Sequence, residues 1–359
     1  MAYRLVQVGT GGFGALWCRH FLPPFVREGR IEVVAAVDTD PAALVHAREG
    51  LGLPEERCTT DLERALNGCD ADICTVVVPP ASHEPVVQEA LAHGCHILSD
   101  KPIADSLPAA CRIAHRVRAA SRKMGVTMSH RFDQDKQSLI RAVRSGRYGR
   151  LDYALGQHTV AVRRKPEWGA FRYEIPDAQL VEGGVHYLDI LADLAGAPCE
   201  RVYAETWNPP WSEFRGDPQA LVTLRFQNGV RAVMEMCAAN AVGLYPWGYE
   251  GWRAECELGA LLLDHRELEE FVYDPSARRP TARPGEGRRV PLVEGERWGH
   301  LLLIEQFLDW LDGGPAMPTN VEDNLQSVAL FAAAIESSRT GRAVEVQTML
   351  NEALRAASV

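Results

Sequence analysis

A glycine-rich turn constrains the fold of this chain more than any other feature of the sequence. The run Gly9-Thr10-Gly11-Gly12-Phe13-Gly14 directly follows an apolar strand pattern and opens a helical pattern. This is G-x-G-x-x-G in the context that a dinucleotide-binding turn requires. The first glycine permits the tight turn, the second lets the backbone approach a pyrophosphate, and the third lets the helix pack on the strand. The pattern predicts that residues 9–14 bind a nicotinamide dinucleotide.

Residues 1–125 alternate between apolar strand patterns and helical patterns. Strands are predicted at Leu5–Val8, Ile31–Val37, Ile73–Val78, His96–Leu98 and Val126–Met128, and helices near 12–28, 41–49, 82–93 and 108–120. Apolar strands separated by helices favour a parallel sheet covered on both faces. Because the crossovers are right-handed, the sequence predicts an α/β, doubly wound Rossmann domain over residues 1–125.

The rest of the chain has a different pattern, dominated by alternating strands. Strands are predicted near 151–162 and at Arg201–Thr206, Ala220–Phe226, Val230–Ala239, Ala254–Leu263 and Leu268–Tyr273, with helices near 134–145, 182–195, 298–312 and 322–339. Asn228-Gly229 is a strong hairpin signal, and Pro275–Arg289 has the composition of an exposed loop. We expect residues 126–359 to form an α+β domain with a large, mostly antiparallel open sheet. Its terminal helices are free to pack back on the first domain.

Charge and cysteine content exclude several classes of function. The formal charge of −10 disfavours a nucleic-acid surface, which needs a basic face, and an anionic membrane. No apolar run approaches the roughly 18 residues of a membrane helix. The nine cysteines are scattered without a C-x-x-C pair, which favours a reducing compartment, and no secretory signal is visible. The expected location is the cytoplasm. The pair His93 and His96 does not make a convincing metal site, so no metal is expected.

Asp38 ends the second predicted strand and bears on the choice of cofactor. A carboxylate there can accept hydrogen bonds from both ribose hydroxyls of NAD, and it would repel the 2′-phosphate of NADP. The competing interpretation is that Asp38 caps the helix predicted to start near Pro41. The cofactor role is favoured, and it predicts NAD in preference to NADP.

Further motifs follow the glycine-rich turn in a fixed order. They are Pro79-Pro80-Ala81-Ser82-His83, Leu98-Ser99-Asp100-Lys101-Pro102, His130-Arg131-Phe132, Glu182-Gly183-Gly184-Val185-His186-Tyr187-Leu188-Asp189 and Ser337-Ser338-Arg339-Thr340-Gly341. Together they resemble the glucose–fructose oxidoreductase / inositol dehydrogenase family, Gfo/Idh/MocA, over nearly the whole chain. The resemblance implies an NAD(P)-dependent dehydrogenase that acts on a CH–OH group of a sugar, sugar derivative or cyclitol.

The resemblance also implies which residues act. In the family an acidic-Lys-Pro motif supplies a lysine that hydrogen-bonds the reacting hydroxyl; here it falls on Lys101, after Asp100 in place of the commoner Glu. An acid stands four residues before a histidine; here these are Glu182, where Asp is commoner, and His186. The chemistry agrees, because histidine suits proton removal near neutral pH and a carboxylate one helical turn away shares its face. We expect His186 to be the general base, Lys101 its electrostatic partner and Glu182 the orienting acid.

Several other residues are candidates with a structural alternative. Pro79, His83 and Lys101 are candidates for cofactor binding, although a packing role for His83 is equally expected. Trp168 and Arg172 are candidates for substrate binding beside Lys101 and His186, and the alternative is solvated surface. The rings of Tyr245, Trp247, Tyr249 and Trp252 suit a sugar, but covering the open sheet at a subunit interface is favoured. A homodimer or homotetramer formed through that sheet is therefore expected.

Three other functions use the same motifs. One is a glycoside-cleaving enzyme in which NAD oxidises the sugar only transiently. Another is a non-catalytic nucleotide-sensing protein, which the presence of Lys101 and His186 disfavours. The third is the reduction of a carbonyl compound that is not a sugar.

Overall fold

The computed structural model describes residues 2–277 and 281–358. The chain divides into two compact units. The first comprises Met1–Met128, His300–Val328 and Ala353–Val359, and the second Ser129–Gly299 and Ala329–Glu352. The first unit thus runs three residues past position 125 and includes two segments from the C-terminal part of the chain. The segment His300–Val328 is tied to it because Asn320 bridges Gly125, and the Val126 N–H donates to Thr319 O at 2.9 Å.

The first unit contains a parallel six-stranded sheet. Its strands are β1 (Tyr3–Val8), β2 (Ile31–Val37), β3 (Cys58–Thr59), β4 (Ile73–Val76), β5 (His96–Ser99) and β6 (Met124–Val126). Their order is β3-β2-β1-β4-β5-β6, with every neighbouring pair parallel. This order confirms the doubly wound α/β fold, which places binding sites at the carboxyl ends of the strands where the order reverses, between β1 and β4.

The helices within residues 1–128 differ from the sequence prediction near their ends. They are α1 (Gly14–Leu16), α2 (Leu22–Arg27), α3 (Val45–Leu51), α4 (Leu62–Asn67), α5 (His83–Ala92) and α6 (Leu107–Ala119). The continuous helix predicted over 12–28 is wrong, because a π-helical turn at Trp17–Phe21 separates α1 from α2. Pro23 and Pro24 have no N–H to donate to the preceding turn, which interrupts the α-helical hydrogen bonds. The short strand β3 and helix α4 were not predicted.

The second unit is built on a nine-stranded sheet. Its strands are β7 (Leu151–Thr159), β8 (Cys199–Trp207), β9 (Gln219–Phe226), β10 (Arg231–Cys237), β11 (Gly251–Cys256), β12 (Gly259–Asp264), β13 (Glu267–Val272), β14 (Arg288–Arg289) and β15 (Val344–Glu345). The order is β14-β13-β12-β11-β7-β10-β9-β8-β15, and β7 with β10 is a parallel pair among antiparallel neighbours. The predicted mostly antiparallel sheet is therefore confirmed. The predicted hairpin is also present, with Gly229 at φ +89° between β9 and β10.

Two strand predictions need correction. The single strand predicted over Ala254–Leu263 is two strands, β11 and β12, with a reversal at Glu257 and Leu258. The reversal is held because the N–H groups of these two residues donate to Arg150 O and Tyr148 O, at 2.9 Å and 2.8 Å. The predicted loop Pro275–Arg289 contains the short strand β14 at its end, and its residues 278–280 lie outside the described residues.

Five longer helices complete the chain. They are α7 (Gln134–Arg144), α8 (Val185–Ala195), α9 (Gly299–Leu311), α10 (Val321–Thr340) and α11 (Val346–Ala357), the last of which was not predicted. A π-helical turn at Gln179–Gly184 precedes α8, so the helix predicted from 182 begins at Val185. None of the helices in the described part of the chain is long and apolar enough to span a bilayer.

The two faces of the large sheet differ in burial. Met234 and Met236 on β10 are fully buried beneath α8 and the π-helical turn, whereas Val233, directly before Met234, is 38% exposed. Leu221 on β9 and Tyr203 on β8 are 45% and 38% exposed, and they share the face of Val233. The predicted open face is present, and it carries apolar side chains.

Gly156 on β7 lies where the buried face of the sheet leaves no space for a side chain. A Cβ atom there would meet Met234 Sδ at 2.5 Å and the Trp252 ring at 2.7 Å. We expect Gly156→Ala to lower the free energy of unfolding by about 1–3 kcal/mol, because overpacking displaces well-packed neighbours. Urea unfolding followed by tryptophan fluorescence measures this. Leu155→Ala, on the opposite face of the same strand, is the control, and an equal or larger loss in it would contradict the packing argument.

Candidate active site

The glycine-rich turn leaves room only for glycine at two of its positions. Gly9 has φ +85°, and a Cβ atom there would lie 2.0 Å from Val77 O at the end of β4. A Cβ atom on Gly14 would lie 2.3 Å from Gly9 O. At these two positions the backbone of the turn therefore packs directly against backbone oxygens, which leaves space for a hydrogen atom but not for a side chain. Gly12, at φ +51°, has no atom within 4 Å of its Cβ position, so the outer side of the turn is open to a ligand.

Asp38 at the end of β2 braces this turn. Its Oδ2 accepts hydrogen bonds from the N–H groups of Thr10 at 2.7 Å and Gly11 at 2.9 Å. Its Oδ1 accepts from Asp40 N at 2.9 Å, which forms the turn before α3. Asp38 therefore holds the turn that precedes the helix, and its carboxylate lies at the glycine-rich turn; its role in cofactor binding stays a prediction. The geometry fits a dinucleotide, with the open backbone at Gly12 for phosphate and Asp38 for ribose.

His83 opens α5 and is completely buried. Its Nε2 lies 2.9 Å from Val78 O and its Nδ1 lies 3.2 Å from Ile103 O. The imidazole therefore ties the end of β4 to the segment after Lys101, which favours the packing role over direct cofactor binding. Pro79 lies in the same connection, directly before the turn that leads into α5.

Lys101 follows β5, next to the carboxylate of Asp100, whose side chain is 13% exposed. Thr127 Oγ1 donates to Asp100 Oδ1 at 3.0 Å, and the Nε2 of His300 lies 3.9 Å from the same oxygen. Burial alone would raise the pKa of Asp100, but His300, the charge of Lys101 and the Thr127 hydroxyl outweigh it and lower that pKa. Asp100 is therefore an anion next to Lys101, and the hydrogen bond from Thr127 holds its carboxylate in place. His300 itself stacks on Phe21, with ring centroids 4.4 Å apart.

Three predicted residues come together in the second unit. Glu182 lies in the π-helical turn before α8 and is 2% exposed. Its Oε2 accepts a hydrogen bond from Arg172 Nε at 2.8 Å. The Arg172 guanidinium lies 5.0 Å from the centre of the Trp168 ring. The two substrate candidates are thus held to Glu182, and the sequence spacing did not indicate this ion pair.

His186 lies in the first turn of α8 and is 7% exposed. Its ring is stacked on that of His130, with centroids 4.0 Å apart and 8° between the planes. One turn later, Asp189 Oδ2 lies 3.0 Å from Arg131 Nε. The motif His130-Arg131-Phe132 therefore packs against the helix that carries the predicted base. The sequence contained that motif, but its spacing gave no role to His130.

A buried ionic cluster lies beyond His130. Lys136 on α7 and Glu250 before β11 are both fully buried, with Nζ and Oε2 2.7 Å apart. Tyr187 OH donates to Glu250 Oε1 at 3.3 Å, and His130 Nδ1 lies 3.6 Å from that oxygen. Burial opposes ionisation of Glu250, but the charges of Lys136 and His130 lower its pKa to about 2. Sequence reasoning missed this cluster, because its members are far apart in the chain and lysine normally marks a solvated position.

The candidate residues divide between the two units. The first contains the glycine-rich turn, Asp38 and Lys101, and the second contains Trp168, Arg172, Glu182 and His186. Within the described ranges, 2–277 and 281–358, no group of three or more His, Cys, Asp or Glu side chains has the geometry to hold a metal ion.

Comparison with known protein families identifies both parts of the chain. Residues 3–128 match the Gfo/Idh/MocA model described as an oxidoreductase family with an NAD-binding Rossmann fold. Residues 137–259 match the model described as the GFO/IDH/MocA C-terminal domain. The first unit is therefore an NAD-binding Rossmann domain.

Individual proteins agree with these matches. The uncharacterized protein y4oX of Sinorhizobium fredii is 49% identical over 359 residues, covering 100% of both chains. An inositol 2-dehydrogenase of Pseudarthrobacter chlorophenolicus is 28% identical over 358 residues, covering 96% of each. The crystal structure of an oxidoreductase from Agrobacterium radiobacter, in complex with NAD+, L-tartaric acid and magnesium, has a TM-score of 0.82 at 22% identity. It covers 97% of this chain and 100% of that one, and it shows the shared fold.

The bond of Asp38 to the glycine-rich turn predicts a double effect of its removal. We expect Asp38→Ala to weaken NAD binding, because the turn loses its brace, and to narrow the preference for NAD over NADP, because the repulsion of a 2′-phosphate is lost. Fluorescence titration with both cofactors measures this. Asp40→Ala, two residues on and exposed, is the matched control. Equal or tighter binding of NADP by the unmodified protein would show the cofactor assignment of Asp38 to be wrong.

Proposed function

The chain belongs to the Gfo/Idh/MocA oxidoreductase family, and we propose that it is an NAD-dependent dehydrogenase of a polyhydroxylated small molecule. The reaction is hydride transfer between nicotinamide and a secondary alcohol or ketone. The observation that carries the proposal is the placement of His186. It stands in the first turn of α8, buried in a polar, aromatic setting but retaining exposed surface, as a general base that meets a substrate must.

The proposed roles follow from the charge changes of the reaction. Oxidation of a secondary alcohol breaks the C–H bond, whose electron pair leaves as hydride, and the O–H bond, whose proton needs an acceptor. Bound NAD supplies the hydride acceptor. His186 accepts the hydroxyl proton through a ring nitrogen, and the Lys101 ammonium donates a hydrogen bond to the oxygen as negative charge develops on it. The return reaction uses the same groups in reverse.

Glu182 acts in this proposal as an orienting residue with two duties. It precedes His186 by four residues, and its carboxylate also accepts the hydrogen bond from Arg172. Because Arg172 lies over the Trp168 ring, Glu182 sets the position of both substrate candidates. An aromatic ring beside a guanidinium presents an apolar surface and several donors, a combination suited to the ring and hydroxyl groups of a sugar, sugar derivative or cyclitol. The related inositol 2-dehydrogenase, by its name, acts on a cyclitol.

The open face of the sheet supports a proposal about assembly. Tyr203, Leu221 and Val233 are side chains that a monomer would leave in water. Pairing that face with a second copy buries them on both chains at once, as an isologous interface does. We therefore include a homodimer or homotetramer in the proposed function.

The catalytic assignment predicts the effect of two substitutions. We expect His186→Ala and Lys101→Ala each to lower kcat strongly, by about 10²–10⁴-fold for the lost base. NAD affinity should stay near that of the parent, because neither side chain forms the glycine-rich turn. The measurement is NADH formation with a panel of cyclitols, aldoses and glycosides, beside fluorescence titration of NAD.

His265→Ala, an exposed histidine of the second unit, is the control for the loss of an imidazole. If His186→Ala keeps more than about a tenth of the parent kcat, the proton acceptor lies elsewhere. Cleavage of a glycoside without net NADH release would replace net oxidation by transient oxidation of the substrate.

The assembly proposal predicts the size of the protein in solution. Light scattering should show a dimer or a tetramer, and Val233→Glu should shift the protein towards smaller species because it places a charge in the interface. Val26→Glu, which changes an exposed apolar residue of the first unit, should leave the size unchanged. A monomeric parent protein at micromolar concentration would contradict the proposal.

A further inference from the structure

A second imidazole lies flat against the proposed general base. His130, from the turn before α7, stacks on His186 with centroids 4.0 Å apart. We propose that His130 is a positioning residue for proton transfer: Glu250 holds a proton on His130, and the resulting cation keeps His186 unprotonated and ready to accept the substrate proton. The inference rests on the proposed function for the role of His186.

The first support is the contact between His130 and Glu250. The Nδ1 of His130 lies 3.6 Å from Glu250 Oε1, an ion-pair distance, and the carboxylate has no exposed surface. A buried carboxylate that keeps its charge stabilises the protonated form of an adjacent imidazole. Because the pKa of Glu250 is lowered to about 2, the carboxylate is an anion throughout the range in which histidines titrate.

The second support is the charge balance of the buried cluster. Lys136 is the ammonium at its centre, 2.7 Å from Glu250 and 3.2 Å from Asp135. The carboxylates of Glu250 and Asp135, both buried, contact this one ammonium. Asp133 adds a further acid 3.7 Å from Lys136, with a pKa that burial raises to about 7. A protonated His130 brings the cluster closer to neutrality, which matters because uncompensated buried charge is costly.

The other charged groups around α8 are engaged elsewhere. In the turn before α7, Arg131 pairs with Asp189 and Asp193, at 3.0 Å and 3.1 Å. In the π-helical turn, Glu182 pairs with Arg172.

On α7, which also packs on α8, Arg144 pairs with Asp193 at 2.9 Å and Lys136 pairs with Glu250 at 2.7 Å. His158 on β7 stacks on Tyr187, and burial lowers its pKa to about 4, so it is neutral near neutral pH. Burial and the neighbouring Glu250 raise the pKa of the Tyr187 hydroxyl well above its usual value, so it also stays neutral. β10 turns Met234 and Met236 towards α8. In the second unit, His130 is a titratable ring that lies flat against His186, with centroids 4.0 Å apart.

Stacking two imidazoles makes their protonation mutually exclusive near neutral pH. Two like charges about 4 Å apart repel each other appreciably even in a polar protein environment. The pair therefore takes up its protons in two steps that belong to both rings together. Since the carboxylate contacts His130, the first proton resides there, and the second proton, on His186, is held off to lower pH.

The test is a titration of the histidine signals by NMR in the full-length protein without substrate. His186 is assigned by the signal that His186→Ala removes. In His130→Phe, which keeps an aromatic ring in the stack but removes the charge, the midpoint of His186 should rise by on the order of one pH unit. The acid limb of kcat/KM should move to higher pH by the same amount, because it reports the base of the free enzyme.

His158→Phe is the matched control. It replaces another buried imidazole that stacks on Tyr187, but one that is neutral, so the His186 midpoint should stay where it is. Glu250→Gln should lower the midpoint of His130, since the anion that holds its proton is gone. His130→Asn replaces His130→Phe if the latter does not fold, with the same expected direction for His186.

An unchanged or lower His186 midpoint in the folded His130 variant would overturn the inference. A raised midpoint together with near-parental kcat in His186→Ala would leave the histidine pair standing and show that the proposed base is wrong. The NMR titration of His186 therefore tests the inference about His130, and kcat of His186→Ala separately tests the role of His186 as the base.

Discussion

The ion pair between Lys136 and Glu250 organises the second unit around the proposed base. Its 2.7 Å contact has no exposed surface, and it joins α7 to the segment before β11. Removing one partner of such a pair typically costs about 3–5 kcal/mol, because the other charge is left buried and uncompensated. Through Tyr187 and His130, the Glu250 carboxylate also reaches α8 and the ring beneath His186. The position of the base thus depends on a charge pair that does not itself touch it.

The first unit obeys a steric constraint of a different kind. Gly9 and Gly14 pack so closely against backbone oxygens that a methyl group cannot be added at either position. This constraint is local and involves residues that are close together in the chain, so the glycine-rich turn and the strand that precedes it could be predicted from the sequence. Asp38 was predictable for the same reason, since it ends an apolar strand directly. Its hydrogen bonds to Thr10 and Gly11 show that the acid proposed to bind ribose also holds the glycine-rich turn.

The parts that could not be predicted depend on contacts between distant segments. The run Ala254–Leu263 contains no proline and no Asn-Gly or Asp-Gly pair, and the hydrogen bonds of Glu257 and Leu258 to the segment before β7 show that it reverses. The helix expected from residue 182 begins with a π-helical turn, in which Gly184 packs against Met236 of strand β10. Lys136 and its carboxylate partner Glu250 are more than a hundred residues apart in the chain, so no local pattern predicts their ion pair.

The structure also changes the role expected for Glu182, the acid four residues before the proposed base His186. In a regular α-helix, an acid four residues before a histidine lies on the same face and can interact with the imidazole. Here Glu182 lies in a wider π-helical turn and shares its carboxylate with Arg172, so part of its negative charge is already compensated. An acid compensated in this way raises the basicity of its histidine less than an isolated one does. The charge that we infer to face the base is instead that of His130, backed by Glu250. In this proposal the chain separates two duties that one acid would otherwise combine: Glu182 holds Arg172, and the stacked histidine sets the protonation state of His186.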